Sequence, residues 1–322
     1  MRSDVLQMLF EADGYISGED ISDRLHISRA AVWKNIKTLK EDGGIVDAKP
    51  NAGYRLVQLP DLLKPEYVGL FMPEASNRII WMDAVDSTNN YAKKIAREGA
   101  ADGTVAVAEH QTGGKGRLGR VWMSQPHTSV MMSFVIRPGV PPANAPVYNF
   151  ATALGVAKAV EETCGLSPAI KWPNDVVYQG RKLCGILTEM SADMDSVEYL
   201  VVGVGTNVNQ ERFDGEIGQR AVSLRMIRGE KLDRAAVCAS LIKNIDLYFD
   251  KLAKNGTDGI MDAYREKSAV LGREIRVIGH DGSASGRCVG FGPGGQLLVD
   301  TSEGLREFHA GDVSVRGVDD YV

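Results

Sequence analysis

The sequence lacks the features of a secreted, membrane-spanning or disulfide-bonded protein. Its four cysteines are scattered without CxxC spacing, which argues against a zinc site or a disulfide framework. No apolar run approaches the roughly 18 residues that a membrane-spanning helix requires. The first segment, MRSDVLQMLFEADG, carries acids and lacks the long apolar core and cleavage site of a signal peptide. We therefore expect a cytoplasmic protein that makes no membrane contact.

The chain also lacks a net positive charge. Its 322 residues carry 37 Lys and Arg against 42 Asp and Glu, which gives a formal net charge of −5. Any contact with nucleic acid must therefore come from a local basic patch. The hydrophobic content of 44% and the charged content of 25% are ordinary for a globular protein, and the length suffices for two or three domains.

Residues 1–62 have the element order of a winged helix-turn-helix domain. After a first amphipathic helix, Ser17 and Asp20 form a capping-box pattern that opens a second. Ser28 precedes a third, RAAVWKNIKTLK, which is stopped by Gly43. The segment IVDAKPNAGYRLV then predicts two strands around a Pro-Asn-Ala-Gly turn. Such a fold places its recognition helix in the DNA major groove and its wing against the backbone.

The recognition helix carries several cations and no acid. A lone basic helix is usually a solvated face, but the complete ordered set of elements favours DNA binding. Lys34, Lys37 and Arg55 suit phosphate contacts, whereas Arg29 and Trp33 lie near the helix start and suit base edges. The residues that we expect at the DNA interface are Ser28, Arg29, Trp33, Lys34, Lys37 and Arg55.

Residues 63–270 combine strands and helices in a way that predicts a mixed sheet. IIWMDAV, TVAVAE and SVMMSFVIRP are predicted strands, and Ser87 begins a helix between the first two. Strands near 183–190 and 198–205 are separated by only a few residues, so we expect antiparallel neighbours. Because strands outnumber crossover helices, helices should pack against a mixed sheet rather than a doubly wound parallel one.

Residues 271–322 change to short β segments, namely EIRVIG, SGRCVGFG, GQLLVD, LREFH and VSVR. Glycines and turn residues recur at spacings of roughly 8–12 residues, which predicts a small SH3-like β-barrel of about five strands. The predicted fold class is therefore α+β, with three domains at 1–62, 63–270 and 271–322.

The stretch GGKGRLGR, residues 113–120, formally matches the G-x-G-x-x-G dinucleotide fingerprint. That motif must open a helix, but RVWMSQPHTS leads into another strand. The Walker pattern fails as well, because Gly119 is followed by Arg-Val rather than Lys-Ser/Thr. Lys115, Arg117 and Arg120 offer cationic donors for phosphate or carboxylate oxygens. We expect a loop that is mobile when empty and ordered by an anionic ligand; a solvated surface turn is the alternative.

Two later stretches carry polar groups beside apolar strands. KWPNDVVY contains Trp172 and Asp175, and RKLCGILTEMS sets Lys182 at the mouth of an apolar strand. Gly185 allows a ligand to lie against that strand. Taken alone, Trp172 is as consistent with a core side chain, and Lys182 with a solvated strand end.

Five motifs follow one another along the central part of the chain, namely DSTN (86–89), the loop 111–122, KWPND (171–175), KLCGIL (182–187) and GVGTN (203–207). In these motifs the sequence resembles the biotin protein ligases, and specifically the bifunctional ones that also repress the biotin operon. One departure is Lys115, where many members carry Arg, because lysine keeps the charge but lacks the bidentate fork. The resemblance extends through the winged helix and the small barrel and implies a class II synthetase/biotin-lipoate ligase-like central domain.

The resemblance implies two half-reactions. Biotin and ATP, accompanied by Mg²⁺, give biotinyl-5′-AMP and pyrophosphate, and a lysine of the biotin carboxyl carrier protein of acetyl-CoA carboxylase then takes the biotinyl group. The implied catalytic residues are Lys182, between carboxylate and α-phosphate, and Arg117, on the phosphate side. Asp175 is implied either to help deprotonate the acceptor lysine or to serve as a structural hydrogen-bonding group. No dedicated metal-ligand cluster is evident, and no metal residues are assigned.

The same resemblance implies how the ligand is held. Ser87, Thr88 and Gln111 would hydrogen-bond the ureido end of biotin, Gly185 would form part of the wall, and Trp122 would cover the adenine or biotin. The implied ligand-binding residues are Ser87, Thr88, Asn89, Gln111, Gly114, Lys115, Gly116, Arg117, Trp122, Lys182, Gly185, Gly203 and Asn207.

A regulatory role is implied as well. If the adenylate orders the basic loop beside a sheet edge, it favours a homodimer that presents two winged helices to operator DNA. Three alternatives stay open: a ligase with a vestigial DNA-binding domain, a lipoate-type ligase, and a metabolite-sensing transcription factor without catalysis. Lipoate enzymes are not expected to carry the wing domain, and the intact Lys182 and Arg117 argue against loss of activity.

Overall fold

The computed structural model describes residues 2–279, 282–311, 313–317 and 321. Within these ranges the chain forms an N-terminal helical unit with a β-hairpin, a central unit built on a mixed sheet, and a C-terminal antiparallel sheet. This arrangement confirms the predicted α+β class. The boundaries predicted after residues 62 and 270 stay predictions.

The N-terminal unit has the predicted winged-helix order. The Ser17 and Ser28 hydroxyls accept backbone N–H bonds at 2.9 and 3.2 Å, so both act as the caps that the sequence indicated. Val32, Ile36 and Leu39 are buried on one face of the third helix. The elements are α1 (Arg2–Glu11), α2 (Gly18–Leu25), α3 (Arg29–Glu41), β1 (Ile45–Lys49) and β2 (Gly53–Gln58).

The central unit contains a seven-stranded sheet within the described ranges. Its strands are β3 (Ile79–Val85), β4 (Thr104–Gln111), β5 (Ser129–Ile136), β6 (Ala169–Lys171), β7 (Asp175–Tyr178), β8 (Arg181–Ala192) and β9 (Val197–Asn207). Their spatial order is β3-β4-β5-β9-β8-β7-β6, with β3 parallel to β4 and the other pairs antiparallel. The mixed sheet and the antiparallel pairing of β8 with β9 are therefore confirmed.

Helices cover this sheet. They are α4 (Pro65–Val68), α5 (Pro73–Ser76), α6 (Thr88–Arg97), α7 (Val147–Cys164), α8 (Ile217–Arg220), α9 (Leu224–Arg228), α10 (Arg234–Asn255) and α11 (Asp258–Lys267). The α7 helix is buried on most of its surface and packs closely on α10. A β-carbon at Gly155 would stand 2.6 Å from Ile245 Cα, so this helix crossing requires glycine. No helix in the described part of the chain is long and apolar enough to cross a membrane.

Several short elements differ from the sequence-based expectation. The linker between β2 and α4, residues 59–64, leads directly into α4, and neither α4 nor α5 was predicted. Strand β7 and the helices α8 and α9 were not predicted either. Each of these elements has only four or five residues, which is too few for a hydrophobic period to show.

The C-terminal unit is a five-stranded antiparallel sheet of order β13-β12-β11-β10-β14 in the described residues. The strands are β10 (Glu274–Gly279), β11 (Gly282–Phe291), β12 (Leu297–Thr301), β13 (Gly304–Phe308) and β14 (Ser314–Gly317). The five predicted strands are confirmed, and their closure into an SH3-like barrel stays a prediction.

Aromatic side chains dock the C-terminal unit on the central one. Tyr264 stacks on Phe150 with ring centroids 3.9 Å apart and meets Phe291 edge-on at 5.1 Å. Trp172 is 1% exposed, and its indole N–H donates to the Gly295 carbonyl at 2.9 Å. Trp172 is thus a core side chain, one of the two possibilities that its sequence context left open.

A buried carboxylate joins the linker, the sheet and α10. Glu109 on β4 is fully buried, and its Oε1 accepts hydrogen bonds from Leu63 N at 2.6 Å and Trp81 Nε1 at 2.9 Å. Its Oε2 lies 2.8 Å from a guanidinium nitrogen of Arg234, which is also fully buried and pairs with Asp61 at 2.6 Å. Because both charges are buried away from water, removing either one would leave the other without its counter-charge.

We expect the substitution Arg234→Leu to lower the free energy of unfolding by about 3–5 kcal/mol, because it leaves the Glu109 charge buried without its cation. Urea denaturation followed by tryptophan fluorescence measures the effect. The control is Arg265→Ala, which removes a surface pair whose side chains are 46% and 96% exposed and should change stability by less than about 0.5 kcal/mol. Equal losses in the two variants would contradict this interpretation.

Candidate active site

A pocket of ≈ 150 Å³ lies where residues 112–125, here called the lid loop, fold against the middle of the central sheet. It is bordered by the start of α6, the end of β4, and the strands β8 and β9. Eleven of the thirteen ligand-binding residues expected from the sequence line this pocket. They are Ser87, Thr88, Asn89, Gln111, Lys115, Gly116, Arg117, Trp122, Lys182, Gly185 and Gly203.

The lid loop is a small hairpin fixed at its base. Backbone N–H groups of Thr112 and Gly113 donate to carbonyls at the end of β3, at 2.9 and 2.7 Å. The Trp122 N–H donates to the Gly114 carbonyl at 2.9 Å, which closes the hairpin. After a single 3₁₀ turn at Arg117–Gly119 the chain is extended rather than helical. The rejection of a dinucleotide fingerprint is therefore confirmed.

Glycines on two strands make room for the tryptophan of the lid loop. A β-carbon at Gly205 would stand 2.7 Å from Trp122 Cε2, and one at Gly185 would stand 3.0 Å from Trp122 Cζ3. The indole ring therefore lies directly on the backbone of β8 and β9. Its Nε1 is buried without a hydrogen-bond partner among the described residues, and a β-carbon at Gly205 would stand 3.1 Å from it, so this donor lies against β9.

The inner end of the pocket is polar and uncharged. Gln111 Oε1 accepts from Thr88 N at 2.7 Å and from Thr88 Oγ1 at 3.0 Å. Asn89 Oδ1 accepts from Ser133 Oγ at 2.6 Å. Ser87 stands at the N-cap position of α6 without making a side-chain cap bond. Neutral donors and acceptors around a helix N-terminus suit a neutral polar group such as a ureido ring.

The outer end of the pocket is charged. Lys182 Nζ lies 2.6 Å from Asp175 Oδ1 and 5.6 Å from the centroid of the Trp122 ring. Burial alone would raise the pKa of Asp175, but the adjacent Lys182 charge and hydrogen bonds from Lys182 and Tyr321 hold that pKa below its ordinary value. Burial lowers the pKa of Lys171 to about 7, although the Asp175 charge opposes the shift.

Two predicted cations have protein partners in the structure. Arg117 donates to Asn174 Oδ1 at 3.2 Å and to backbone carbonyls of the C-terminal unit, that of Val313 at 3.0 Å. Lys115 Nζ donates to Asn90 Oδ1 at 2.8 Å. Both side chains line the pocket, but their hydrogen bonds link the lid loop to the C-terminal unit and to α6. Phosphate binding by them stays a prediction.

Two expected ligand-binding residues lie outside this lining. A β-carbon at Gly114 would stand 3.3 Å from the carbonyl carbon of Trp122. Gly114 therefore shapes the lid loop rather than the pocket wall. Asn207 is 3% exposed and donates to the Val222 carbonyl at 3.2 Å and the Lys182 carbonyl at 3.5 Å. Its amide pins the segment after β9 to β8 and borders a neighbouring cavity.

That neighbouring cavity, of ≈ 230 Å³, lies beside Trp122 and Lys182 and was not predicted. Phe213, Ile217 and Tyr321 contribute to its lining. The first two belong to a stretch, ERFDGEIGQRA, that has no periodicity or charge cluster to mark it. Tyr321 reaches the cavity only because the C-terminal unit docks on the central one.

The six residues expected at the DNA interface are all exposed. The members of the set that are exposed on α3 are Arg29, Trp33, Lys34 and Lys37. Trp33 is 58% exposed, which is unusual for a tryptophan in a monomeric protein, and Lys37 Nζ lies 5.7 Å from its ring. The Ser28 hydroxyl caps α3, Arg55 pairs with Asp47 at 3.4 Å, and Lys37 pairs with Glu41 at 3.7 Å. DNA contact by these residues stays a prediction.

The resemblance implies that Mg²⁺ enters with ATP, whose phosphates supply much of the coordination of such an ion. The described residues contain no group of three or more His, Cys, Asp or Glu side chains that could hold a metal ion.

The comparisons with known proteins agree with this architecture. Family models match residues 2–55 as an HTH domain, residues 81–207 as the biotin/lipoate A/B protein ligase family, and residues 270–316 as the biotin protein ligase C-terminal domain. The three matches fall on the three units described above.

Relatives extend the similarity to the whole chain. The chain is 35% identical to the bifunctional ligase/repressor BirA of Bacillus subtilis over 98% of both chains, and 27% identical to that of Escherichia coli over 94% of both. A biotin protein ligase from Aquifex aeolicus, solved in complex with biotin and ATP, is 33% identical with a TM-score of 0.66. It covers 74% of this chain and 99% of its own. On this similarity, the chain belongs to the biotin protein ligases, and among them to the family of bifunctional ligase/repressors.

Proposed function

We propose that this protein activates biotin with ATP to biotinyl-5′-AMP and transfers the biotinyl group to a lysine of the biotin carboxyl carrier protein of acetyl-CoA carboxylase. The observation that carries the proposal is the pocket itself. It joins a neutral polar end at Gln111 and Thr88 to a charged end at Lys182, beneath Trp122 of the lid loop. Such a pocket suits a ligand with a neutral ring at one end and a carboxylate at the other.

Joining biotin to ATP requires neutralisation of charge. The biotin carboxylate attacks the α-phosphorus, a carboxyl C–O–P linkage forms, and pyrophosphate leaves with the electron pair of the broken P–O bond. Two anionic groups must approach each other, so a cation between them lowers the barrier. Lys182, at the border between the two cavities, is in position to serve both groups. Arg117 and Lys115 of the lid loop supply further charge on the phosphate side.

Closure of the lid loop then protects the product. A mixed anhydride hydrolyses readily in water, and Trp122 lies flat on the two strands that form the pocket wall. The second half-reaction needs a base for the acceptor ammonium group. Asp175, whose Oδ1 lies 2.6 Å from Lys182 Nζ, is our candidate for this role because of its position.

A lipoate-type ligase is the less favoured alternative. A lipoyl ring has no ureido group, whereas this pocket ends in amide and hydroxyl groups from Thr88, Asn89 and Gln111. The winged-helix unit that precedes the central unit also favours a biotin ligase over a lipoate ligase. A cytoplasmic location is also part of the proposal, since the four cysteines are free thiols, as a reducing compartment favours.

We further propose that the adenylate-bound protein is a homodimeric repressor of the biotin operon. The exposed Trp33 and cations of α3 form a local basic surface on an otherwise acidic chain. A dimer would present two such helices to a two-half-site operator. Biotinyl-AMP would thus serve as intermediate and corepressor, and unbiotinylated carrier would compete for the same state of the protein.

Lys182→Ala should lower biotin-dependent ATP–pyrophosphate exchange by at least about 100-fold, because the charge between the two reacting anions is lost. The matched control is Lys243→Ala, on the exposed face of α10, whose side chain is 64% exposed. This control should exchange at the wild-type rate. Near-normal exchange by Lys182→Ala would remove that residue from the mechanism, and no exchange by the wild-type chain would refute the ligase.

Replacing both Lys34 and Lys37 by Ala should weaken DNA binding and reduce the slope of log K against log [salt] by about 2, since each lost phosphate contact removes about 0.9. The double control Lys251→Ala and Lys254→Ala changes the same charge on exposed positions of α10 and should leave the slope unchanged. Fluorescence anisotropy with a labelled operator fragment measures both. A slope that is equal in all three proteins would show that α3 does not contact the backbone.

The repressor and the ligase-only alternative differ in one response. Binding to the promoter of the organism's own biotin operon should strengthen when biotin and ATP are added together, and not with either alone. A gel shift measures this response. Binding that is absent or insensitive to biotin and ATP would leave a ligase with a vestigial DNA-binding unit.

A further inference from the structure

The C-terminal unit places a tyrosine inside the catalytic centre. The Tyr321 hydroxyl donates to Asp175 Oδ2 at 2.5 Å, while Asp175 Oδ1 pairs with Lys182 at 2.6 Å. The ammonium of Lys171 lies 3.3 Å from the centroid of the Tyr321 ring, and the guanidinium carbon of Arg316 lies 4.9 Å from it. One aromatic side chain therefore contacts the carboxylate through its hydroxyl and two cations through its ring.

Asp175 and Lys171 are both buried beside Tyr321. Asp175 is 8% exposed and has both carboxylate oxygens engaged. Lys171 is 2% exposed, and its Nζ has no hydrogen-bond partner in the part of the chain that the structure describes, only the face of the Tyr321 ring. Burial also raises the pKa of Tyr321, so the phenol stays a proton donor at neutral pH.

An acceptor amine must compete with this arrangement. To give up its proton to Asp175, an incoming ammonium group has to reach one carboxylate oxygen within hydrogen-bond distance. The Lys182 contact joins two full charges, whereas the Tyr321 contact joins a neutral phenol to a charge. The Tyr321 contact is therefore the one that the amine can replace at lower cost.

We propose that Tyr321 is a gate on the acceptor side of the site: its phenol occupies Asp175 Oδ2 while the adenylate is held, and the acceptor lysine must displace it. This inference rests on the proposed ligase function and adds a positioning residue from the C-terminal unit. The gate keeps water and stray amines from the mixed anhydride until a carrier protein pushes its own lysine into the place of the phenol.

The gated step is aminolysis of the adenylate. The ammonium group of the acceptor loses a proton to Asp175, and its nitrogen attacks the biotinyl carbonyl carbon. A C–N bond forms, the C–O bond to the phosphate breaks, and AMP leaves with that electron pair. The second proton on the attacking nitrogen departs to solvent, which completes the amide.

Hydroxylamine tests the gate, because it is a small amine that reacts with acyl adenylates without any carrier contact. The full chain is loaded with synthetic biotinyl-5′-AMP, and formation of biotinyl hydroxamate per bound adenylate is followed with time. We compare wild type, Tyr321→Ala and Tyr321→Phe. The matched control is Tyr178→Phe, at a half-buried tyrosine on the same strand as Asp175.

Tyr321→Ala should form biotinyl hydroxamate from its bound adenylate at least about tenfold faster than wild type. This change in rate is the one expected when a hydrogen bond to a charged group is removed. Tyr321→Phe keeps the ring and its packing but not the hydroxyl, and should also be faster than wild type, by about threefold or more. A role in packing alone would leave the Phe variant at the wild-type rate. Tyr178→Phe should match wild type.

Wild-type rates in both Tyr321 variants would overturn the gate while leaving the ligase intact. So would an increase in Tyr321→Ala that Tyr321→Phe does not share, because it would make the contact purely structural. Failure of the wild-type chain to bind biotinyl-5′-AMP would overturn the gate and the ligase function together, which separates the two kinds of failure.

Discussion

The buried ion pair between Glu109 and Arg234 is the constraint on which the rest of the central unit depends. One fully buried carboxylate fixes α10, the sheet, and the linker that follows the winged helix at Leu63. The same carboxylate also receives the imidazole of His127, whose Nδ1 lies 3.3 Å from Oε2. Because Glu109 precedes the lid loop and His127 follows it, both ends of that loop are anchored at the Glu109 carboxylate. A loop anchored in this way can move at its tip without moving its base.

The chemistry of the site follows from the two ends of the pocket. In the proposed mechanism, neutral groups at the start of α6 select a neutral ring, and the Lys182–Asp175 pair at the outer end supplies charge where bonds form. Gly185 and Gly205 allow Trp122 to lie on the strands as a cover. The C-terminal unit contributes as well, because it accepts the Arg117 guanidinium and delivers Tyr321. Catalysis and control of access are therefore properties of the docked units and not of the central one alone.

Much of the fold and of the pocket was predictable from local sequence. Caps at Ser17 and Ser28, the hairpin, the long strands and the pocket-lining motifs are encoded within a few residues of each other. What the sequence could not show are contacts between distant segments. Tyr321 meets Asp175 across 146 positions and Arg117 meets Val313 across 196, so no spacing rule links them. The hydrogen bond from Asn207 to the Val222 carbonyl could not be predicted for the same reason, because Val222 lies on a segment without a recognisable pattern.

The central claim is that the lid loop, residues 112–125, folds over biotin and the α-phosphate and is ordered by them. Amide hydrogen exchange of the full chain, followed by mass spectrometry with and without biotin and ATP, measures this most directly. We expect amide hydrogen exchange to slow across the lid loop when both ligands are present, while α11 exchanges as before. Exchange in the lid loop that is unchanged by biotin and ATP would contradict it.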